Sequence, residues 1–192
     1  MEDIVSARKA LDELYRGMGD YKCSKHYCIG NHELRIYKYE NEHPEVFGAF
    51  SQQYETIWRE RGWGISNYGD FYFLKGVGFV HAPLNEMGRE YAAIHDIVFG
   101  HSHKERSWRT GKIGKGNYVK VVNVGCCLEY GEIETYALNN TTGWSYGICQ
   151  LLIANGHIQG HSHISMIELK EKYGITENER RISNEGDEQI GN

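Results

Sequence analysis

Two short stretches carry the side chains best suited to chemistry: Ile29-Gly30-Asn31-His32-Glu33 and Phe99-Gly100-His101-Ser102-His103. Each follows an apolar run that stops at a glycine, with ligand-type side chains next on the loop. A third instance lies between them, where Val77-Gly78-Phe79-Val80 runs into His81. In open α/β sheets the carboxyl ends of strands are where sites are built. Asn31, His81, His101 and His103 together offer one amide oxygen and three imidazoles. That set suits Mn, Fe or Zn better than Ca or Mg. On an extended segment residues i and i+2 point the same way. His101 and His103 would then reach two metals about 3.5–4 Å apart, the spacing of two-metal hydrolases. His32 would face elsewhere, donating to a phosphoryl oxygen or protonating a leaving group. Glu33 could fix the tautomer of that imidazole.

Each residue alone has a plainer reading. His81 could be a polar strand-end residue, Asn31 a left-handed turn residue, and His101 and His103 surface loop histidines. Three such ends in order, each behind an apolar strand, favour one assembled site. Gly160-His161-Ser162-His163 repeats the tetrapeptide but follows Gly156-His157 and not an apolar strand, so it reads as part of a late strand.

The elements that must position these residues are legible in outline. Ile4, Ala7, Leu11, Leu14 and Tyr15 recur at helical spacing over 4–17, and Gly17 and Gly19 stop the run. Residues 25–29 form a strand, and a short helix follows from Glu33 to about Tyr39. Pro44 suits the first turn of a further helix running through Phe47, Phe50, Tyr54 and Ile57 to Gly62. From Trp63 the texture becomes β-like. Strands are expected at Phe71–Leu74, Val77–Val80, Asp96–Phe99, Tyr118–Val124, Trp144–Ile153 and Ile158–Leu169, with a short helix around Glu86–Ile94. Residues 104–117, with Lys104, Arg106, Arg109, Lys112 and Lys115, read as a basic loop beside the site that could contact phosphates. From Lys170 the chain is charged and poor in large apolar groups, as in a frayed tail. The domain thus spans 1–169 and the tail 170–192. Helices come first and strands last, which suggests a layered α/β domain.

The 192 residues suffice for one domain with a real core. A net charge of -5 argues against a dedicated nucleic-acid binder. No apolar run is long enough to span a membrane, and the first residues do not resemble a signal peptide. Five cysteines without zinc-finger spacing suggest reduced, mostly buried thiols and a cytoplasmic location. The ten histidines are the unusual count, and many lie at glycine-bounded turns.

Gly30-Asn31-His32-Glu33, the strand-end His81 and Gly100-His101-Ser102-His103 resemble the later motifs of the calcineurin-like metallophosphoesterases. Pro83, Gly88-Arg89 and Val121-Val122-Asn123-Val124-Gly125 fit the same pattern, so the resemblance covers about residues 4–169. It implies a four-layer α/β/β/α sandwich with a dinuclear metal centre. Asn31, His81 and His101 would ligate one metal and His103 the other, with His32 acting on the phosphoryl group of a phosphate ester. The family's first motifs, Asp-x-His and Gly-Asp-x-x-Asp, are not present. Gly19-Asp20 lacks the second Asp, and Asp3 has no strand before it. The chain therefore resembles a member lacking its first strand–helix–strand unit, with one metal or none in place of two. Three expectations follow: a metal-dependent phosphoesterase acting on a monoester, diester, nucleotide or nucleic acid; a non-catalytic remnant; or half of a split enzyme completed by a second chain.

Overall fold

The computed structural model describes residues 2–83, 94–111, 118–128 and 143–174, with side chains from Val5 onward. The architecture is mixed α/β, with three sheets and four α-helices among the described residues. Helix α1 (Glu2–Met18) buries Leu11 and is tied down through Tyr15. The Tyr15 hydroxyl donates to the Arg61 carbonyl at 2.6 Å and accepts from Lys25 Nζ and Trp63 Nε1, both at 2.9 Å.

Strand β1 (Lys25–Cys28) pairs in parallel with β2 (Trp63–Ser66). Between them run α2 (Leu34–Glu42), a 3-10 turn (Pro44–Val46) and α3 (Ser51–Arg59). The single helix expected from Pro44 to Gly62 is thus two pieces. The break falls at Gly48, whose φ of 80° is left-handed, a conformation that costs glycine little. The start of α3 is capped from α2. Glu40, only 2 % exposed, accepts from Phe50 N at 2.7 Å, Ser51 N at 2.8 Å and Ser51 Oγ at 2.6 Å. Burial pushes its carboxyl up, but these donors outweigh that and hold it at about 2. Helix α3 packs its rings on β1: Trp58 stacks on Tyr27 at 4.1 Å, and the Tyr54 hydroxyl donates to that of Tyr27 at 2.8 Å. Gly62, at φ 74°, ends this region as its position past the helix suggests.

The main sheet has the order β3-β4-β5-β7-β6. Strands β4 (Val77–Val80), β5 (Ile97–Phe99) and β7 (Tyr118–Val124) are parallel. Strands β3 (Tyr72–Leu74) and β6 (Glu105–Gly111) flank them antiparallel. Strand β6 corrects the expected loop: residues 105–111 pair with β7 along their whole length. Trp108 drives this, packing edge-on to Phe99 at 6.0 Å, while Arg106 and Arg109 stay exposed on the edge. Charged edges discourage further pairing. Side chains alternate between the two faces. Val80, Ile97, Phe99, Val119 and Val121 form one apolar cluster, and Val77, Val98 and Val122 join Ile158 in the other.

The second cluster is covered by the hairpin of β8 (Gly147–Ala154) and β9 (His157–Ser165). Its turn, Asn155-Gly156, has positive φ at both residues, as a two-residue hairpin of the preferred twist requires. Asp96 pins sheet to hairpin from a 2 % exposed position. Its carboxylate accepts Lys120 N at 2.9 Å and Ile158 N at 2.7 Å.

The strand expected to continue to Leu169 stops at Ser165. There a capping box with Glu168 starts α4 (Met166–Tyr173), so residues 170–173 are helical and not tail. The expected helix around 86–94, apart from Ile94 in a bend, and the chain beyond Gly174 lie outside the described residues. The cysteines are all free, as expected, but depart from expectation in exposure: none is buried, and Cys23 and Cys127 are exposed. No described helix is long and apolar enough to cross a membrane.

Candidate metal centre

Three strand ends converge. Strand β1 ends at Cys28 and leads through buried Ile29 to Gly30 and Asn31; β4 leads to His81; β5 leads to Gly100 and His101. Because β4 and β5 are parallel neighbours, their carboxyl ends fall side by side, and Gly100 N donates to the His81 carbonyl at 3.0 Å. The side chains meet at one atom. His81 Nε2 lies 3.0 Å from Asn31 Oδ1 and 3.3 Å from His101 Nδ1.

Gly30 makes the convergence possible. A Cβ there would stand 2.5 Å from Glu33 Oε2 and 3.1 Å from His81 Cε1. The Glu33 carboxylate instead accepts Gly30 N at 2.9 Å, closing the turn into α2. It also raises the pKa of Tyr27, though burial and the neighbouring Tyr54 contribute more. Glu33 therefore lies between the Tyr54–Tyr27 pair and the histidines.

The loop after β5 does not follow the extended geometry expected of it. His101 has φ 71° and His103 has φ 61°, left-handed values that cost non-glycine residues about 1–2 kcal/mol each. The two imidazoles therefore do not project as i and i+2 on a strand, and their spacing gives no argument for paired metals. The loop is gripped from two sides. Asn123, 4 % exposed at the end of β7, donates to Ser102 Oγ, and its Oδ1 accepts Gly125 N at 3.4 Å. Ser145 N donates to the His103 carbonyl at 2.8 Å, while Ser145 Oγ accepts Glu105 N at 3.0 Å.

The structure thus joins Asn31, His81 and His101. His103 stands off the junction. Its ring packs edge-on against Trp144 at 4.2 Å, and its buried Nδ1 has no hydrogen-bond partner among the described residues. His32 is exposed, and its charge is felt at both His81 and His103. Burial lowers the pKa of His81, and the proximity of His101 lowers it further. His103 is lowered by the same two causes in the same order. Metal binding requires unprotonated imidazole, the form that burial favours at His81 and His103.

Tetrahedral ligands at about 2.1 Å from a metal stand about 3.4 Å from each other, close to the separations at His81 Nε2. That nitrogen carries at most one proton yet faces two heteroatoms. The donor set is neutral, two imidazoles and an amide. Among the described residues no three His, Cys, Asp or Glu side chains are grouped to hold an ion.

No family model, curated protein or solved structure matches the chain. The reading therefore rests on the residues and their geometry. Sequence reasoning missed the supports: Asn123 under Ser102, Ser145 under His103, and Tyr54–Tyr27 behind Glu33. Asn123 did leave a trace, as the one polar residue within Val121-Val122-Asn123-Val124.

Proposed function

We propose that this chain is a metal-dependent phosphoester hydrolase of calcineurin-like type, with Asn31, His81 and His101 holding a divalent ion such as Mn, Fe or Zn. The observation that carries this reading is the meeting of those three side chains at His81 Nε2, delivered by three separate strand ends. A divalent ion there would activate water and offset charge on the phosphoryl group. His32, exposed beside the junction, protonates the departing oxygen. Glu33 holds the turn that carries Asn31 and His32. The clamps on Ser102 and His103 keep His101 in its strained position.

The test is Mn binding by calorimetry together with hydrolysis of bis(p-nitrophenyl) phosphate. Stoichiometric Mn binding is expected and should be lost in His101→Ala. His32→Ala should keep the ion and lose roughly 10²–10⁴-fold in kcat. Absence of both stoichiometric Mn and turnover would sink the proposal. The absence of a carboxylate among the three donors favours a second reading, a non-catalytic metal-binding domain. That reading predicts bound Mn, lost in His101→Ala, with no turnover.

A further inference from the structure

Just past the end of β7 stand two reactive side chains that the histidine site does not use, the adjacent pair Cys126-Cys127. Both are free thiols; Cys126 is half-buried and Cys127 is exposed. Burial raises the pKa of Cys126, and the proximity of Cys127 raises it further.

Cys126 is fastened to Ser145 by two contacts on one atom. Its N–H donates to the Ser145 carbonyl at 2.9 Å, and its thiol donates to the same oxygen at 3.6 Å. The Cys126 carbonyl accepts Gly147 N at 2.9 Å, completing a parallel bridge opposite Tyr146. The approach is close. A Cβ at Gly125, whose φ is 77°, would stand 2.5 Å from the Ser145 carbonyl oxygen. Ser145 in turn holds the loop after β5. Its N–H donates to the His103 carbonyl, and its Oγ accepts Glu105 N. A single residue therefore separates the Cys126 thiol from His103.

Adjacency decides what the thiols can bind. A disulfide would have to draw the two sulfurs to about 2.05 Å. A trivalent arsenic atom standing between them demands less. With an arsenoxide, two arsenic–sulfur bonds form and the arsenic–oxygen bond breaks. The oxygen leaves as water with the two thiol protons, and nothing is oxidised or reduced. The second bond is intramolecular, so the pair should outbind a single thiol by roughly a hundredfold or more. In the bridge, Cys126 directs its sulfur onto Ser145 while Cys127 faces solvent. One arsenic atom can hold both sulfurs only if Cys126 gives up that contact.

We infer that Cys126-Cys127 is a dithiol site for trivalent arsenicals, and that filling it loosens the hold of Ser145 on the loop that carries His101 and His103. The dithiol site needs nothing from the phosphoesterase reading; only its consequence for Mn rests on that reading.

The experiment titrates the whole chain with phenylarsine oxide, counted by mass spectrometry. The His103 ring is followed by NMR of its imidazole nitrogens, with and without Mn. One arsenical per chain is expected, resistant to excess monothiol and removed by dimercaptopropanol. Cys127→Ser, at an exposed position, should abolish this uptake, and Cys149→Ser should not. Uptake should shift the His103 signal, leave the far-UV circular dichroism unchanged and weaken Mn binding roughly tenfold. Cys126→Ser, whose hydroxyl can still donate to the Ser145 carbonyl, should lose the arsenical and keep the His103 signal in place. No uptake, or uptake that survives Cys127→Ser, overturns the inference. So does an arsenical that leaves the His103 signal or a measurable Mn affinity unchanged, or that collapses the circular dichroism. If the His103 signal moves while no Mn binds at any stage, the dithiol site and its coupling stand and the phosphoesterase reading falls.

Discussion

The same four residues occur twice in this chain with opposite outcomes. Gly100-His101-Ser102-His103 is a strained loop at the end of a buried strand, with both histidines left-handed. Gly160-His161-Ser162-His163 is regular strand, paired residue for residue with β8. Its histidines do project to one side, opposite Leu151 and Cys149, as an extended segment requires. They do not meet another strand end: His161 Nε2 stands 3.6 Å from Glu105, and His163 lies over Gly147, its buried Nε2 without a hydrogen-bond partner among the described residues. The tetrapeptide therefore decides neither its conformation nor its use. What precedes and what grips it decide. Ile97-Val98-Phe99 is buried on both faces and ends among parallel neighbours, so the next residues leave the sheet at its carboxyl edge. Strand β9 alternates, with Ile158 its buried residue, and pairing continues through the second tetrapeptide.

The comparison breaks most directly at the histidines. His101→Ala is expected to weaken Mn binding by at least about a hundredfold, since it removes one of three donors. His161→Ala should leave Mn affinity unchanged within a factor of about two. Calorimetric titration of both variants checks this, and comparable losses would mean that the ion does not sit at the first tetrapeptide. The next effect lies at the serines. Asn123→Ala removes the hydrogen bond to Ser102 Oγ beneath a loop that holds two left-handed histidines. A loss of about 1–3 kcal/mol in stability is expected, with Mn affinity down roughly 10- to 100-fold, as for other groups that orient ligands. Ser162 is exposed, and Ser162→Ala should change stability by less than about 0.5 kcal/mol. Urea unfolding and Mn titration read both. An Asn123→Ala protein with unaltered Mn affinity would show that the clamp serves the fold and not the site.

The contrast also explains what could be read in the sequence. Apolar runs ending at Gly30, His81 and Gly100 marked β1, β4 and β5, and with them the residues that meet at His81; the burial of β4 and β5 leaves a nearly unbroken hydrophobic signature. The conformation of 101–103 was hidden, because Asn123 and Ser145 impose it from 20 and more residues away. Strand β6 was hidden for a related reason. Its arginines look like a loop, and only pairing with β7 and the contact of Trp108 with Phe99 make it a strand. The split of the expected 44–62 helix depends on Glu40 reaching across to cap α3, a link between positions ten residues apart with no local motif.

The smallest effects test whether the glycines matter as much as their place in the motifs suggests. A Cβ at Gly100 would meet His81 O and Val124 Cγ2 at 3.9 Å, ordinary contact, and one at Gly160 would meet nothing within 4 Å. Neither glycine has a positive φ. Gly100→Ala and Gly160→Ala should therefore be neutral or stabilising by up to about 0.5–1 kcal/mol, through the restricted unfolded chain, with Mn affinity unchanged. Gly30 is the control that gives the pair meaning. There the new methyl would meet Glu33 Oε2 at 2.5 Å and His81 at 3.1–3.2 Å, so Gly30→Ala must displace the carboxylate or the ligand ring. Thermal unfolding and Mn titration of the three variants order them. If Gly100→Ala disrupts Mn binding as Gly30→Ala is expected to, the loop after β5 is packed more tightly than its contacts indicate. If it does not, the glycine shared by the two tetrapeptides is incidental, and the preceding strand together with the grip of Asn123 and Ser145 accounts for their divergence.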